Sequence, residues 1–213
     1  MSVDLKICGL NTPEAIEAAV KGHAAYIGFV LFEPSPRAVT PDIMADLCLS
    51  IPKTVKKVGL FVDASLEAIA SAVSTEAVDV IQLHGSEEPS MLAEIKSRFK
   101  LPVMKAIAIA CEEDLAKAKI YEKHADMLLF DAKPPSGANR PGGNALSFDW
   151  TLVAGQNWRI PWMLAGGINL ENLAQAVKVS GASTIDVSSG VENQKGVKIP
   201  EKITELLSLA STL

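Results

Sequence analysis

The sequence predicts an α/β protein, a single (β/α)8 TIM barrel of eight parallel strands spanning residues 1–213, and three observations carry that expectation. Short apolar runs recur eight times along the chain. They succeed one another at intervals of about 26 residues, the length of one strand–helix unit. The turn after the first run, Cys8-Gly9-Leu10-Asn11, lacks the glycine fingerprint of an open dinucleotide-binding sheet, the main rival architecture.

The first strand is read at Asp4 to Cys8. Thr12-Pro13 then places a capping hydroxyl before a proline at the first helical position, and Ile16, Ala19 and Val20 share one face of the next helix. The second strand is Tyr26 to Val30, after which Thr40-Pro41 repeats the same start signal. The third is Lys57 to Val62, succeeded by a helical face of Leu66, Ile69, Ala70 and Val73. Strands four, five and six are Val78 to Leu83, Val103 to Ile107 and Met127 to Phe130. A long loop from Asp131 to Ser147, rich in proline, glycine and asparagine, precedes the seventh strand at Trp162 to Ala165. Leu173, Ala176 and Val177 form the next helical face, and the eighth strand is Thr184 to Val187. Ile203, Leu206, Leu207 and Ala210 complete the last unit. Strict alternation of this kind implies a parallel sheet with right-handed crossovers, and eight units close on themselves.

With 213 residues, 48% of them hydrophobic, the chain can bury the core that one such barrel needs. A net charge of −5 and a pI near 5.3 leave no broad positive field for nucleic acid or anionic lipid, so a small-molecule partner is expected. The longest apolar stretch, Ala24 to Phe32, is far shorter than the ~20 residues that cross a bilayer. Met1 to Leu10 alternates polar and apolar residues and reads as folded protein, not as an export signal. Cys8, Cys48 and Cys111 are odd in number and share no metal-like spacing, which suits a reducing cytoplasm and gives no expectation of a metal. Monomer and homodimer are equally compatible with the sequence.

A barrel of this class builds its site from the residues immediately after each strand. Those positions hold Cys8, Ser35-Pro36-Arg37, Gln82 and His84, Asp131, Gly166-Gly167, and Asp186 with Ser188-Ser189-Gly190. The glycine and serine turns after strands seven and eight suit a phosphate, because bare backbone N–H groups bind the anion; a plain tight turn is the alternative for Gly166-Gly167. Cys8 reads equally as a base or as an inert buried thiol. Asp131, after an apolar run, is placed to keep a proton for donation, or else forms a turn. Strand six lies three steps from strand one around the ring, so Asp131 and Cys8 face each other across the mouth. Arg37, between prolines that restrict its loop, offers a planar fork for a carboxylate or is a solvated surface group. Gln82, His84 and Asp186 are further candidates for substrate contact.

The ordered set Lys6-Ile7-Cys8-Gly9, Gly28-Phe29-Val30 leading to Ser35-Pro36-Arg37, Gly59-Leu60-Phe61-Val62, Gln82-Leu83-His84-Gly85, Leu164-Ala165-Gly166-Gly167-Ile168 and Asp186-Val187-Ser188-Ser189-Gly190-Val191-Glu192 resembles the phosphoribosylanthranilate isomerases of tryptophan biosynthesis. The resemblance runs from Lys6 to Glu192. It implies a cofactor-free Amadori rearrangement of a phosphosugar, with Asp131 as general acid, Cys8 as general base and Arg37 on the anthranilate carboxylate. It also implies that Gly166, Gly167, Ser188, Ser189 and Gly190 hold the phosphate. The histidine-pathway isomerases run the same rearrangement but have an aspartate where Cys8 stands. One departure is visible: where the family favours Gly-Gly-Thr/Ser-Gly, this chain has Gly142-Gly143-Asn144-Ala145, and Ala145 adds a Cβ.

Overall fold

The strands close into a parallel barrel in sequence order, with β8 hydrogen-bonded back to β1. The computed structural model describes residues 3–134, 142 and 146–213. The strands are β1 (Asp4–Cys8), β2 (Tyr26–Val30), β3 (Lys56–Phe61), β4 (Val80–Leu83), β5 (Val103–Ile109), β6 (Met127–Ala132), β7 (Trp162–Leu164) and β8 (Thr184–Val187). The helices outside them are α1 (Pro13–Lys21), α2 (Pro41–Cys48), α3 (Leu66–Val73), α4 (Pro89–Phe99), α5 (Glu112–Tyr121), α6 (Leu173–Ser180) and α7 (Pro200–Ala210).

Alternation along each strand decides which side chains meet. Inward-facing Val58, Val80, Met104, Leu129, Met163 and Ala165 pack into an apolar plug on the barrel axis. Outward-facing Ile7, Phe29, Phe61, Ile81 and Phe130 join the buried faces of the helices in one larger core. Each such side chain contributes about 1.5–3 kcal/mol by leaving water. The expected capping holds: the Thr12 and Thr40 hydroxyls accept from Ala15 N–H and Ile43 N–H, each at 3.3 Å, with proline at the first turn.

Three features depart from the expected pattern. β4 begins at Val80, because Asp79 is held as a turn by the Lys57 carbonyl and turns its own carboxylate to Lys57 N–H. β5 and β6 pair two residues further than expected, Ala108 with Asp131 and Ile109 with Ala132, so Asp131 is a strand residue and not the start of a loop. Between β6 and β7 the described residues hold no α-helix; a single 3-10 turn, Trp150–Leu152, capped by Asp149, takes its place. Trp158 and Trp162 cover that side by packing on Phe130, with ring centroids 4.8 and 5.5 Å away. No helix among the described residues is long and apolar enough to cross a membrane.

After β8 the chain makes an antiparallel hairpin of β9 (Glu192–Gln194) and β10 (Val197–Lys198) before entering α7. Its strands are too short and polar to show as an alternating apolar pattern in the sequence. Its two charged ends, Glu192 and Lys198, turn back to the barrel mouth.

Candidate active site

At the C-terminal ends of the strands lies a pocket, about 800 Å³ of empty space continuous with solvent. Cys8, Arg37 and Asp186 line one side of it, and His84, Asp131 and Gly166 line the other. Gly167, Ser188 and Ser189 are also on its wall. Gln82 and Gly190 are not among the lining residues.

Cys8 ends β1 with its side chain inward, buried to 4% exposure. Two residues earlier on the same face, Lys6 is fully buried and donates to Asp186 Oδ1 at 2.7 Å. Gly28, across on β2, is the reason they fit. A methyl group there would sit 2.9 Å from Cys8 Sγ and 3.2 Å from Lys6 Nζ. Burial pushes the Cys8 thiol up; the Lys6 and Lys198 ammonium groups pull it back down, while Asp186 adds to the rise. Burial works against the Lys6 ammonium too, yet Asp186 and Cys8 together lift it above an ordinary lysine.

Arg37 is buried to 3% exposure, so it is no solvated surface group. Its fork is held less by the neighbouring prolines than by Glu192, which accepts from Nε at 2.6 Å and from Nη2 at 2.9 Å. Lys198 grips the same carboxylate at 2.8 Å. Burial drives the Glu192 carboxyl up, but the Arg37 hydrogen bonds and the Lys198 charge outweigh it and hold it at about 2. Burial lowers the Lys198 ammonium, with Glu192 opposing. Three cations, Lys6, Arg37 and Lys198, thus face two carboxylates, Asp186 and Glu192, and the surplus positive charge favours an anion on this side of the mouth.

The opposite side is built differently. Asp131 Oδ2 lies 3.2 Å from His84 Nε2, and Asp131 Oδ1 accepts from Ala132 N–H at 2.8 Å. Gln82 Nε2 is 3.0 Å from His84 Nδ1. Which ring nitrogen donates follows the tautomer, with Gln82 against Nδ1 and Asp131 against Nε2. Gln82 Oε1 is buried without a hydrogen-bond partner. Gln82 is fully buried, off the pocket wall, and meets the site through His84.

Gly166 has φ of +92°, and a Cβ there would meet Ala132 N at 2.9 Å and Asp131 Oδ1 at 3.3 Å. Glycine is needed both for the turn and for its approach to Asp131. Gly142 closes over the same group, since a methyl on it would lie 2.8 Å from both Asp131 Oδ2 and His84 Nε2. Gly143, Asn144 and Ala145 lie outside the described residues. The turn after β8, expected to hold phosphate through backbone N–H groups, makes further contacts of its own. The Ser188 hydroxyl donates to Cys8 O and accepts from Lys198 Nζ, both at 3.1 Å. Gly190 bridges to Asn169, joining the turns after β7 and β8, with no room for a Cβ beside the Ile168 carbonyl. Gly166, Gly167 and Ser189 remain on the pocket wall at those two turns.

Four residues that shape the site, Lys6, Gly28, Glu192 and Lys198, carry no role on the sequence pattern alone. For Lys6 a signal exists: a lysine two residues before Cys8 on a strand shares its face.

Comparison with known proteins agrees with this geometry. Residues 5–208 match the family model for N-(5'phosphoribosyl)anthranilate (PRA) isomerase. The chain is 48% identical over 214 residues to the N-(5'-phosphoribosyl)anthranilate isomerase of Rhodospirillum centenum, covering all of both chains. It is 50% identical to that of Parvibaculum lavamentivorans over 99% of each. Among solved structures, phosphoribosyl anthranilate isomerase from Thermotoga maritima superposes with a TM-score of 0.87 at 32% identity, over 99% of this chain and 100% of that one. A phosphoribosyl anthranilate isomerase in complex with reduced 1-(o-carboxyphenylamino)-1-deoxyribulose 5-phosphate gives 0.85 at 30% identity, with the same coverage. On a matched family model spanning nearly its whole length, and on relatives at about half identity, this chain belongs to the N-(5'-phosphoribosyl)anthranilate isomerase family.

Proposed function

We propose that this isomerase converts N-(5'-phosphoribosyl)anthranilate to 1-(2-carboxyphenylamino)-1-deoxyribulose 5-phosphate in tryptophan biosynthesis, with Asp131 as general acid and Cys8 as general base. The observation that carries the reading is the placement of these two groups on opposite walls of one pocket, three strands apart around the ring. Protonated Asp131 gives its proton to the ribose ring oxygen. The bond from C1' to that oxygen breaks, and the anilino nitrogen lone pair forms a C1'=N iminium. The Cys8 thiolate then takes the proton from C2', and that electron pair forms C1'=C2' while the nitrogen becomes neutral. Moving a proton from the C2' hydroxyl to C1' yields the ketone. No electrons leave the substrate, so the chemistry requires no redox cofactor.

Burial makes Cys8 thiolate scarcer but a stronger base when formed, which suits removal of a weakly acidic carbon-bound proton. The surplus positive charge around Arg37 favours the anthranilate carboxylate at that end. Gly166, Gly167, Ser188, Ser189 and Gly190 are the phosphate contacts this reading assigns at the other, through backbone N–H groups, with Asp186 and His84 beside the sugar. Holding both anionic ends fixes the reacting carbon between acid and base, which makes weak groups effective by orientation. Three free cysteines suit the reducing cytoplasm as the place of work.

The test tracks anthranilate fluorescence as purified protein is added to freshly made N-(5'-phosphoribosyl)anthranilate. Turnover is expected in the wild type, with Cys8→Ser and Asp131→Asn each reduced about 10²–10⁴-fold. Wild-type rates in either variant would remove that residue from the mechanism.

A further inference from the structure

β5 turns Lys105 outward, away from the pocket and into the layer between barrel and helices, where a charged group is costly. Its partner there is Glu87, 2.8 Å away, and the two side chains are 2% and 0% exposed. Nothing in the reaction uses this pair. The charge–charge contact by itself is weak ground for stability, since apolar side chains of similar volume commonly replace such a pair at little cost.

What the pair does hold is one turn of backbone. Lys105 Nζ donates to Gly85 O at 2.7 Å and reaches Leu83 O at 3.4 Å, the carbonyls on either side of His84. The Glu87 carboxylate takes Gly85 N–H, at 3.1 Å to Oε1 and 3.0 Å to Oε2. Its Oε1 also accepts Asp63 N–H at 3.0 Å, tying the turn after β3 to the turn after β4. Tyr121 on α5 donates its hydroxyl to Glu87 O at 2.8 Å. The peptide units flanking His84 are thus pinned from behind, and the ring stands between Gln82 and Asp131.

We propose that Lys105 and Glu87 are positioning residues for the reaction: by locking the backbone on both sides of His84 they aim its ring at Asp131 and set the orientation in which that carboxyl meets the sugar. This rests on the reading of Asp131 as general acid. It assigns a function to a buried ion pair on the far side of the barrel wall from the substrate.

The test uses the full-length Lys105→Met/Glu87→Leu double variant, which replaces the pair by apolar volume. Glu87→Gln is made alongside it, keeping the shape while removing the charge, and carries the test if the double variant does not fold. Thermal unfolding, kcat and KM are measured together with the ¹⁵N signals of labelled histidine, His84 being assigned through a His84→Asn variant. The expected result is a folded protein whose kcat falls about tenfold to a hundredfold while KM moves much less, with a shifted His84 ring signal. Unchanged kcat in a folded variant overturns the proposal. So does a loss of rate that merely tracks the unfolding midpoint while the ring signal stays in place. Asp131→Asn, measured in parallel, separates the two claims: if it retains wild-type turnover, the assignment of the acid has failed, whereas its collapse beside an unaffected double variant condemns only the positioning role.

Discussion

The two walls of the mouth are held by opposite means. On the Cys8 wall, where Val30 and Leu60 also pack against the cysteine, each ionised side chain has a partner: Lys6 with Asp186 at 2.7 Å, Arg37 and Lys198 with Glu192 at 2.6 and 2.8 Å. On the Asp131 wall the acid meets one imidazole at 3.2 Å, and the ion pair that fixes that imidazole stands behind the barrel. The difference has a chemical cause. A base that must become an anion in a buried place needs cations at hand, and those cations need counter-charges to be tolerated. An acid that must keep its proton cannot sit beside a permanent cation, which would strip it. The His84 imidazole, 3.2 Å away, orients the Asp131 carboxyl without setting a lysine or arginine against it.

The largest expected effect comes from breaking the charged wall at its foot. Lys6→Met leaves Asp186 buried without its cation, at a cost of about 3–5 kcal/mol. Cys8 loses the nearer positive charge and keeps the negative one. Because burial and Asp186 raise the thiol and Lys6 lowers it, the rising limb of the pH–rate profile, which reports thiolate formation, should move to higher pH. Urea denaturation and kcat/KM measured across the alkaline range check both parts. Adding Asp186→Asn should recover most of the stability. An alkaline limb that stays put in Lys6→Met would show that the ammonium does not act on Cys8.

Next in size is the effect of acid on the same wall. Glu192 has a folded value of about 2 against an ordinary 4.5, so its contribution is fully present above 4.5 and is lost as pH falls from 4.5 through 2. The shift corresponds to at most about 3 kcal/mol. Glu192→Gln should therefore be less stable than wild type at neutral pH and should show a flatter dependence between those two values. Chemical denaturation at a series of pH values reads the difference. Equal slopes in the two proteins would mean that Glu192 is not held by Arg37 and Lys198 as the hydrogen bonds describe.

The same contrast explains how much of the molecule is legible in the sequence. The strands and the strand-end residues are legible because a period of two and a repeating strand–helix unit are local properties. Cys8, Arg37, His84 and Asp131 all reach the pocket. The contacts that join them are not local. Lys6 and Asp186 are 180 residues apart, and Arg37 and Glu192 are 155 apart, so only closure of β8 onto β1 and the β9–β10 hairpin bring them together. Ser188 and Gly190 have the composition of a phosphate turn, but spacing does not reveal that the Ser188 hydroxyl also joins Lys198 to Cys8 O or that Gly190 joins the turns after β7 and β8. Nor does spacing distinguish Gln82, which braces His84, from a residue on the pocket wall. That the described residues before β7 form no α-helix is hidden for a related reason: Trp158 and Trp162 cover Phe130, where a helix would otherwise bury that strand.

The smallest expected effect is also the one that tests the purpose of the charged wall. A guanidinium has five N–H donors, and Glu192 takes two of them, on Nε and Nη2, leaving the outer edge for a ligand carboxylate. An ammonium has three donors and no planar edge, so Arg37→Lys can keep Glu192 or serve the ligand but cannot do both with good geometry. KM for N-(5'-phosphoribosyl)anthranilate should rise about tenfold to a hundredfold, with kcat changed far less, because the lost contact is made equally in ground and transition states. A substrate analogue lacking the carboxylate should bind as weakly to wild type as to the variant. If the wild type loses nothing when that carboxylate is removed, the surplus charge around Arg37 serves the Cys8 thiolate alone, and the anthranilate end must be held by the apolar wall of Val30, Phe32 and Leu60.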